Sequence, residues 1–206
     1  MTHEHTVFIV DDDQDVRESL KMLIESIGLA TETYNSAQSY MQSFDPNRPG
    51  CLILDVRMKG MSGLTLQEQL CQLPLHPPII IITGHGDVPM AVRAIKMGAS
   101  EFLEKPFNEQ LLLDSIHVAI ERDDEQRGKA LQLTEVQERI AKLTEREHEV
   151  MELIVSGTLN KNIASQLCIS QSTVEAHRSK VMEKMQARTL SDLMRIVISL
   201  NYQTEV

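Results

Sequence analysis

The sequence contains no tryptophan, and aromatic residues make up only 3% of its 206 positions. A core built on aromatic stacking is therefore excluded. Aliphatic side chains and the 11 methionines must fill the interior that a 42% hydrophobic content allows. Cysteine is scarce. Cys51, Cys71 and Cys168 have neither metal-ligand nor disulfide-framework spacing, so they read as small buried thiols. No apolar run approaches the ~18 residues of a membrane helix, and the N-terminus does not resemble a signal peptide, so a reducing cytoplasm is the expected setting. His3 and His5 offer at most weak, adventitious metal binding at a terminus. Bases are also in deficit, 20 Lys and Arg against 30 Asp and Glu, which excludes a chain that is basic throughout. The deficit is uneven. Residues 1–122 hold 17 acids and 9 bases, net −8, whereas residues 143–206 hold 8 and 7, net −1. The last part is thus free to approach nucleic acid locally.

What is present begins with Cys51-Leu52-Ile53-Leu54-Asp55, an apolar run that suits a strand buried on both faces and ends on a carboxylate. Val7-Phe8-Ile9-Val10 likewise runs into Asp11, Asp12 and Asp13, and Ile79-Ile80-Ile81-Ile82 runs into Thr83. Ala30–Tyr34 reads as a less apolar, edge strand, and Glu101–Glu104 as a fifth, followed by Lys105-Pro106. Helical faces separate them: Val16, Leu20, Leu23, Ile24 and Ile27; Ala37–Phe44; Gly63–Leu73; Val88–Met97; and Asn108 to about Arg122. Five alternations of strand and helix define an α/β fold with a five-stranded, doubly wound parallel sheet. In such sheets ligands sit beyond the carboxyl ends of the strands.

Residues 123–142 are polar and are expected to be a linker. The preceding helix either runs on through them, since Gly128 costs a helix only about 1 kcal/mol, or a new helix starts at Thr134. From residue 143 the pattern is all helix. Thr144-Glu145-Arg146-Glu147 is a capping box. Asn160–Leu167, the turn Cys168-Ile169-Ser170, a polar helix from Gln171 to about Met185 and a last helix over Ser191–Leu200 complete a small four-helix unit with a helix-turn-helix signature. The expected organisation is a first domain over 1–122, a helical linker over 123–142 and a DNA-binding domain over 143–206.

Gathering several carboxylates at one sheet edge is costly, on the order of 4 kcal/mol per like-charge pair at about 4 Å and an effective dielectric near 20. A divalent cation relieves this, and all-oxygen ligands favour Mg²⁺, with Mn²⁺ or Ca²⁺ as substitutes, over zinc. The chemistry that follows is phosphoryl transfer: Asp55 attacks phosphorus, Asp11 and Asp12 hold the cation, Thr83 donates to a phosphoryl oxygen and Lys105 pairs with another. Pro106 is positioned to fix a cis peptide.

These marks, in this order and each at a strand end, resemble a bacterial response-regulator receiver domain over residues 7–122. The resemblance implies that Asp55 accepts a phosphoryl group from a sensor histidine kinase. It also implies that the carbonyl of Arg57 completes the magnesium shell and that Thr83 and Phe102 act as a switch pair. The chain is then a regulator rather than an enzyme, although the receiver assists its own phosphotransfer and dephosphorylation. One departure is Lys59, where the family usually has proline four residues after the phospho-acceptor; it puts the loop shape in question.

Leu143–Glu147, Gly157, Asn160-Lys161-Asn162-Ile163-Ala164, Ile169-Ser170 and Thr173-Val174-Glu175-Ala176-His177 resemble the LuxR/NarL-type DNA-binding domain. Together the halves look like a FixJ-type two-component regulator, and the Thr83-Gly84-His85-Gly86-Asp87-Val88-Pro89 loop favours that branch. In such domains the third helix enters the major groove of promoter DNA. Thr173, Glu175, Ala176, Ser179 and Lys180 are expected nearest the bases and backbone, with His177 packed, phosphate-bound or base-reading. Arg178, Lys184 and Arg188 are phosphate candidates. The implied behaviour is a phosphorylation-driven homodimer, a transcription activator, with RNA polymerase as a further partner. Two other readings stand beside it. One is a DNA-binding regulator with a vestigial receiver that ignores phosphorylation. The other is a haloacid-dehalogenase-type phosphatase with Asp11-x-Asp13 as its nucleophile motif, which leaves Asp55 and the C-terminal half unexplained.

Overall fold

The computed structural model describes residues 5–84 and 86–201, with side chains to residue 198; His3, His85 and the positions after 201 lie outside the described residues. Strands β1 (Thr6–Val10), β2 (Ala30–Tyr34), β3 (Gly50–Asp55), β4 (Ile79–Thr83) and β5 (Glu101–Glu104) alternate with helices α1 (Gln14–Glu25), α2 (Ala37–Ser43), α3 (Gly63–Leu70), α4 (Val88–Lys96) and α5 (Glu109–Ala141). The helices start where short polar side chains satisfy the first free N–H groups. Asp13, Ser36, Ser62 and Asp87 accept from Asp15, Ser39, Thr65 and Met90 respectively. Helices α2 and α3 stop one and three residues short of their expected ends, at Ser43 and Leu70.

The sheet is parallel with order β2-β1-β3-β4-β5. β2 is an edge strand, as its weaker apolar pattern predicts, while β3 and β4 are buried at every position. Alternate residues feed opposite faces. Phe8, Val10, Leu52, Leu54, Ile79 and Ile81 join one core, and Val7, Ile9, Cys51, Ile53, Ile80 and Ile82 join the other. The connections reverse direction between β1 and β3, so the crevice of the sheet opens at their carboxyl ends, beside Asp11 and Asp55.

Of the two alternatives for residues 123–142, continuation holds: α5 is one helix of 33 residues that passes through Gly128. The chain divides into two compact units, residues 1–128 and 129–206, and the division falls inside the stretch expected as linker. The start of that stretch is anchored in the first unit. Asp123 is fully buried, and its Oδ2 accepts from Gly50 N at 2.8 Å and Arg127 Nε at 2.6 Å. The two remaining guanidinium nitrogens donate to the carbonyls of Pro46 and Arg48, both at 2.6 Å. Gly50 has φ +144°, and a Cβ there would stand 1.8 Å from Thr6 O, so only glycine lets the chain pass between this anchor and β1.

In the second unit, α6 (Glu145–Val155), α7 (Asn160–Leu167), α8 (Gln171–Lys184) and α9 (Leu190–Asn201) surround Val150, Ile154, Ile163, Val174, Val181 and Met185, together with Val136 from the end of α5. The expected capping box is present. Glu147 N donates to Thr144 Oγ1 at 3.3 Å, and Thr144 N donates to Glu147 Oε2 at 2.8 Å. Cys168 turns the chain between α7 and α8 in the left-handed region, φ 54°, and Ser170 caps α8. Among the described residues no helix is long and apolar enough to cross a membrane.

Candidate functional site

Three carboxylates meet at the carboxyl end of the sheet. Asp11 and Asp12 follow β1, Asp55 ends β3, and each offers an oxygen within 4.8 Å of the others. Asp11 and Asp55 are buried and Asp12 is exposed. Lys105, just after β5, bridges the two buried acids: its Nζ lies 2.7 Å from Asp11 Oδ2 and 3.1 Å from Asp55 Oδ1. The peptide bond from Lys105 to Pro106 is cis.

Each acid also accepts a main-chain N–H. Asp13 N donates to Asp11 Oδ1 at 2.9 Å, Arg57 N to Asp55 Oδ2 at 2.7 Å and Lys59 N to Asp12 Oδ2 at 3.3 Å. The loop carrying Arg57 and Lys59 is short because it folds straight back on β3. Gly63 N donates to Val56 O at 3.0 Å, and a Cβ on Gly63 would stand 2.1 Å from Asp55 O.

Burial raises the pKa of Asp55 above the usual carboxylate value; Lys105 pulls it down and Asp11 pushes it up again. Burial acts downward on Lys105, but its bonds to Asp11 and Asp55 outweigh this and leave its pKa raised. Both effects describe one arrangement, two buried acids facing the Lys105 ammonium with Asp12 in the same cluster. The donor set is hard oxygen, two of its members are out of solvent, and the net charge is −2 with the carboxylates ionised. These residues fit a magnesium-type ion.

Thr83 is fully buried at the end of β4, and its carbonyl accepts from Lys105 N at 2.8 Å. Phe102, in the middle of β5, is half-buried and packs against the core cluster that contains Ile81 and Ala94. Gly86 touches both sides of this pair: a Cβ there would lie 3.0 Å from Phe102 Cε1 and 3.4 Å from Thr83 Cγ2. Asp13, the second acid of the phosphatase-like motif, is not in the carboxylate cluster; it caps α1.

On α8, Glu175, Ala176, Ser179 and Lys180 are exposed, while Thr173, His177 and Arg178 are half-buried. Arg178 donates to Asn160 Oδ1 at 3.4 Å, which links α8 to the start of α7. His177 Nδ1 is buried without a partner. Lys184 is placed differently from its expected phosphate role. Its Nζ donates to Glu147 Oε2 at 2.5 Å and Lys142 O at 3.0 Å, so it is spent within the fold. Glu147 is correspondingly held at a pKa of about 2, first by Lys184 and then by the Thr144 N–H.

The sequence reading missed the Asp123–Arg127 anchor and the Glu147–Lys184 pair. The i, i+4 spacing of Asp123 and Arg127 was a visible signal, but the polar composition around it pointed to a boundary. Nothing local indicated that Glu147 and Lys184, 37 positions apart, would meet.

Comparison with known proteins agrees with this geometry. Residues 7–117 match the response regulator receiver domain family, and residues 141–197 match the family of bacterial regulatory proteins of luxR type. The chain belongs to the two-component response regulators that join a receiver to a LuxR-type DNA-binding domain. It is 45% identical to Nodulation protein W of Bradyrhizobium diazoefficiens over 97% of this chain and 91% of that one. It is 44% identical to the transcriptional regulatory protein FixJ of Azorhizobium caulinodans over 93% and 91%. Among solved structures, the response regulator StyR is similar with a TM-score of 0.85 and 44% identity, covering 94% of this chain and 98% of that one.

Proposed function

We propose that Asp55 is the phospho-acceptor of this regulator and that its phosphorylation by a sensor histidine kinase controls dimerisation and promoter binding. A carboxylate oxygen of Asp55 forms the new bond to phosphorus as the P–N bond of the phosphohistidine breaks, and the imidazole leaves. The product is an acyl phosphate, which water later hydrolyses. Asp11, Asp12 and Asp55, with the Arg57 carbonyl that the family resemblance assigns, hold Mg²⁺. The ion's contribution is to neutralise charge on the phosphoryl oxygens. Lys105 pairs with one of those oxygens and the Thr83 hydroxyl donates to another. Engagement of Thr83 draws in Phe102 across Gly86, which alters the outer face of β5 and its neighbouring helices. Two such faces then form the dimer. The single observation that carries this reading is the Lys105 ammonium bridging Asp11 and Asp55, with Asp12 in the same cluster.

The receiver occupies residues 1–122, α5 continues as the linker over 123–142, and residues 143–206 bind DNA. α8 enters the major groove with Thr173, Glu175, Ala176, Ser179 and Lys180 towards bases and backbone, with Arg178 and Arg188 on phosphates. His177 supports that face from its half-buried position. Four bases against two acids between Gln171 and Arg188 give the stretch formed by α8 and the residues after it a local excess of positive charge on a nearly neutral unit. Binding by one copy is therefore weak, and phosphorylation acts by supplying two copies at once. The regulator is an activator and touches RNA polymerase when bound. The test is sizing and footprinting with and without Mg²⁺ plus beryllofluoride. Conversion to a dimer with protection of two half-sites is expected; an unchanged monomer with unchanged protection would overturn the switch.

A further inference from the structure

The loop after Asp55 carries Lys59, and its main-chain N–H reaches one of the three clustered acids. Lys59 N donates to Asp12 Oδ2 at 3.3 Å, across 47 positions of sequence. Proline has no N–H and cannot make this bond. The other two acids take their main-chain donors from two residues downstream, Asp13 and Arg57, so those bonds are local. Asp12 is the exposed member and the only one of the three whose donor comes from the other loop.

We propose that the main-chain N–H of Lys59 is a positioning group for the cation site. It orients the Asp12 carboxylate and ties the β1–α1 loop to the phospho-acceptor loop before Mg²⁺ binds. An ionised carboxylate accepts at two oxygens and about four lone-pair sites, so one bond at Oδ2 leaves Oδ1 open to an ion. The N–H withdraws some negative charge from Asp12, which opposes cation binding. The gain is that a solvent-exposed aspartate no longer has to be ordered when the ion arrives, and fixing an outer-shell contact commonly outweighs such a loss. The Lys59 side chain is exposed and has no part in this role.

The inference rests on the reading of Asp11, Asp12 and Asp55 as the Mg²⁺ site, and the test separates the two. Mg²⁺ binding to the full chain is measured by titration calorimetry for the wild type, Lys59→Ala and Lys59→Pro. Lys59→Ala keeps the N–H and is expected to match the wild type. Lys59→Pro is expected to weaken Mg²⁺ binding about tenfold, the low end of what losing an outer-shell partner costs, because the bond is long. In an Asp12→Ala background Lys59→Pro should add nothing. A semisynthetic chain with an ester in place of the amide at 59 removes the N–H without imposing a proline ring and should behave like Lys59→Pro. Equal binding by the wild type and Lys59→Pro, an equal loss in Lys59→Ala, or a proline effect that persists without the Asp12 carboxylate would each overturn the inference. A wild-type chain that takes up no Mg²⁺ would overturn the site reading itself.

Discussion

The two ends of β3 each hold a buried carboxylate beside a cation, and they do opposite things. At the amino end Asp123 meets one guanidinium and the Gly50 N–H, and the remaining Arg127 nitrogens are consumed by two carbonyls. Charge is balanced one to one by Arg127, although Asp123 Oδ1 is buried without a hydrogen-bond partner. At the carboxyl end Lys105 pairs with Asp11 and Asp55 while Asp12 joins the same cluster, so three ionised acids against one lysine leave two negative charges. A buried carboxylate is thus part of the scaffold when its own chain neutralises it, and a binding or reacting group when its chain falls short. Burial alone does not distinguish them, since Asp123 is the more deeply buried of the two.

The contrast breaks if substitutions at the two ends behave alike. Asp55→Asn should abolish Mg²⁺-dependent labelling by an acyl-phosphate donor and leave the circular dichroism spectrum and melting temperature at or above wild type, because one like charge is removed. Labelling that persists on another residue would move the acceptor. Arg127→Met should do the reverse. Leaving Asp123 buried and unpaired costs about 3–4 kcal/mol, seen by calorimetry as a lower melting temperature of the receiver unit, while Asp55 is still labelled. Loss of labelling in proportion to loss of stability would erase the distinction.

A third pair sharpens the comparison in the other unit. Glu147 is buried, yet Lys184 and the capping box neutralise it, so it belongs with Asp123. Lys184→Met should cost about 3 kcal/mol, near the lower bound for breaking a buried pair because Lys184 is partly exposed. The sign of the pH dependence follows from the depressed pKa of Glu147, about 2 against an ordinary 4.5. The pair's stabilisation is complete above about pH 4.5 and is lost as pH falls toward 2. Lys184→Met removes the first cause of that depression, so it should shrink the acid loss and flatten stability against pH, which melting curves over this window would reveal. The smallest effect is expected at Arg188, exposed at the end of this region. Arg188→Ala should weaken DNA binding evenly across sequences and reduce the slope of log K against log salt by about 0.9, one phosphate contact. An unchanged slope would assign Arg188 to solvent.

Much of this was legible in the residues. Apolar runs that end on Asp11, Asp55 and Thr83 specify buried parallel strands, and once the strands are parallel their last residues must share an edge. Two helix starts were equally plain, because Thr144 and Ser170 announce themselves by chemistry that acts within three residues. Residues 123–142 were not legible in the same way. Their polar composition suits both an exposed linker and a helix, and the deciding contacts of Asp123 and Arg127 reach back to residues 46–50.

Local sequence therefore determined the element order, the parallel sheet, the identity of the acidic edge and the family. It did so because hydrophobic period and capping chemistry act over a few residues. Tertiary structure alone decided how each charge is answered: Arg127 closes on Asp123, Lys184 pairs with Glu147, and Lys59 N–H reaches Asp12. Those outcomes depend on which groups the fold brings within about 3 Å of one another, and Coulomb energy and hydrogen bonding at that range are properties of distance in space, not of position in the chain.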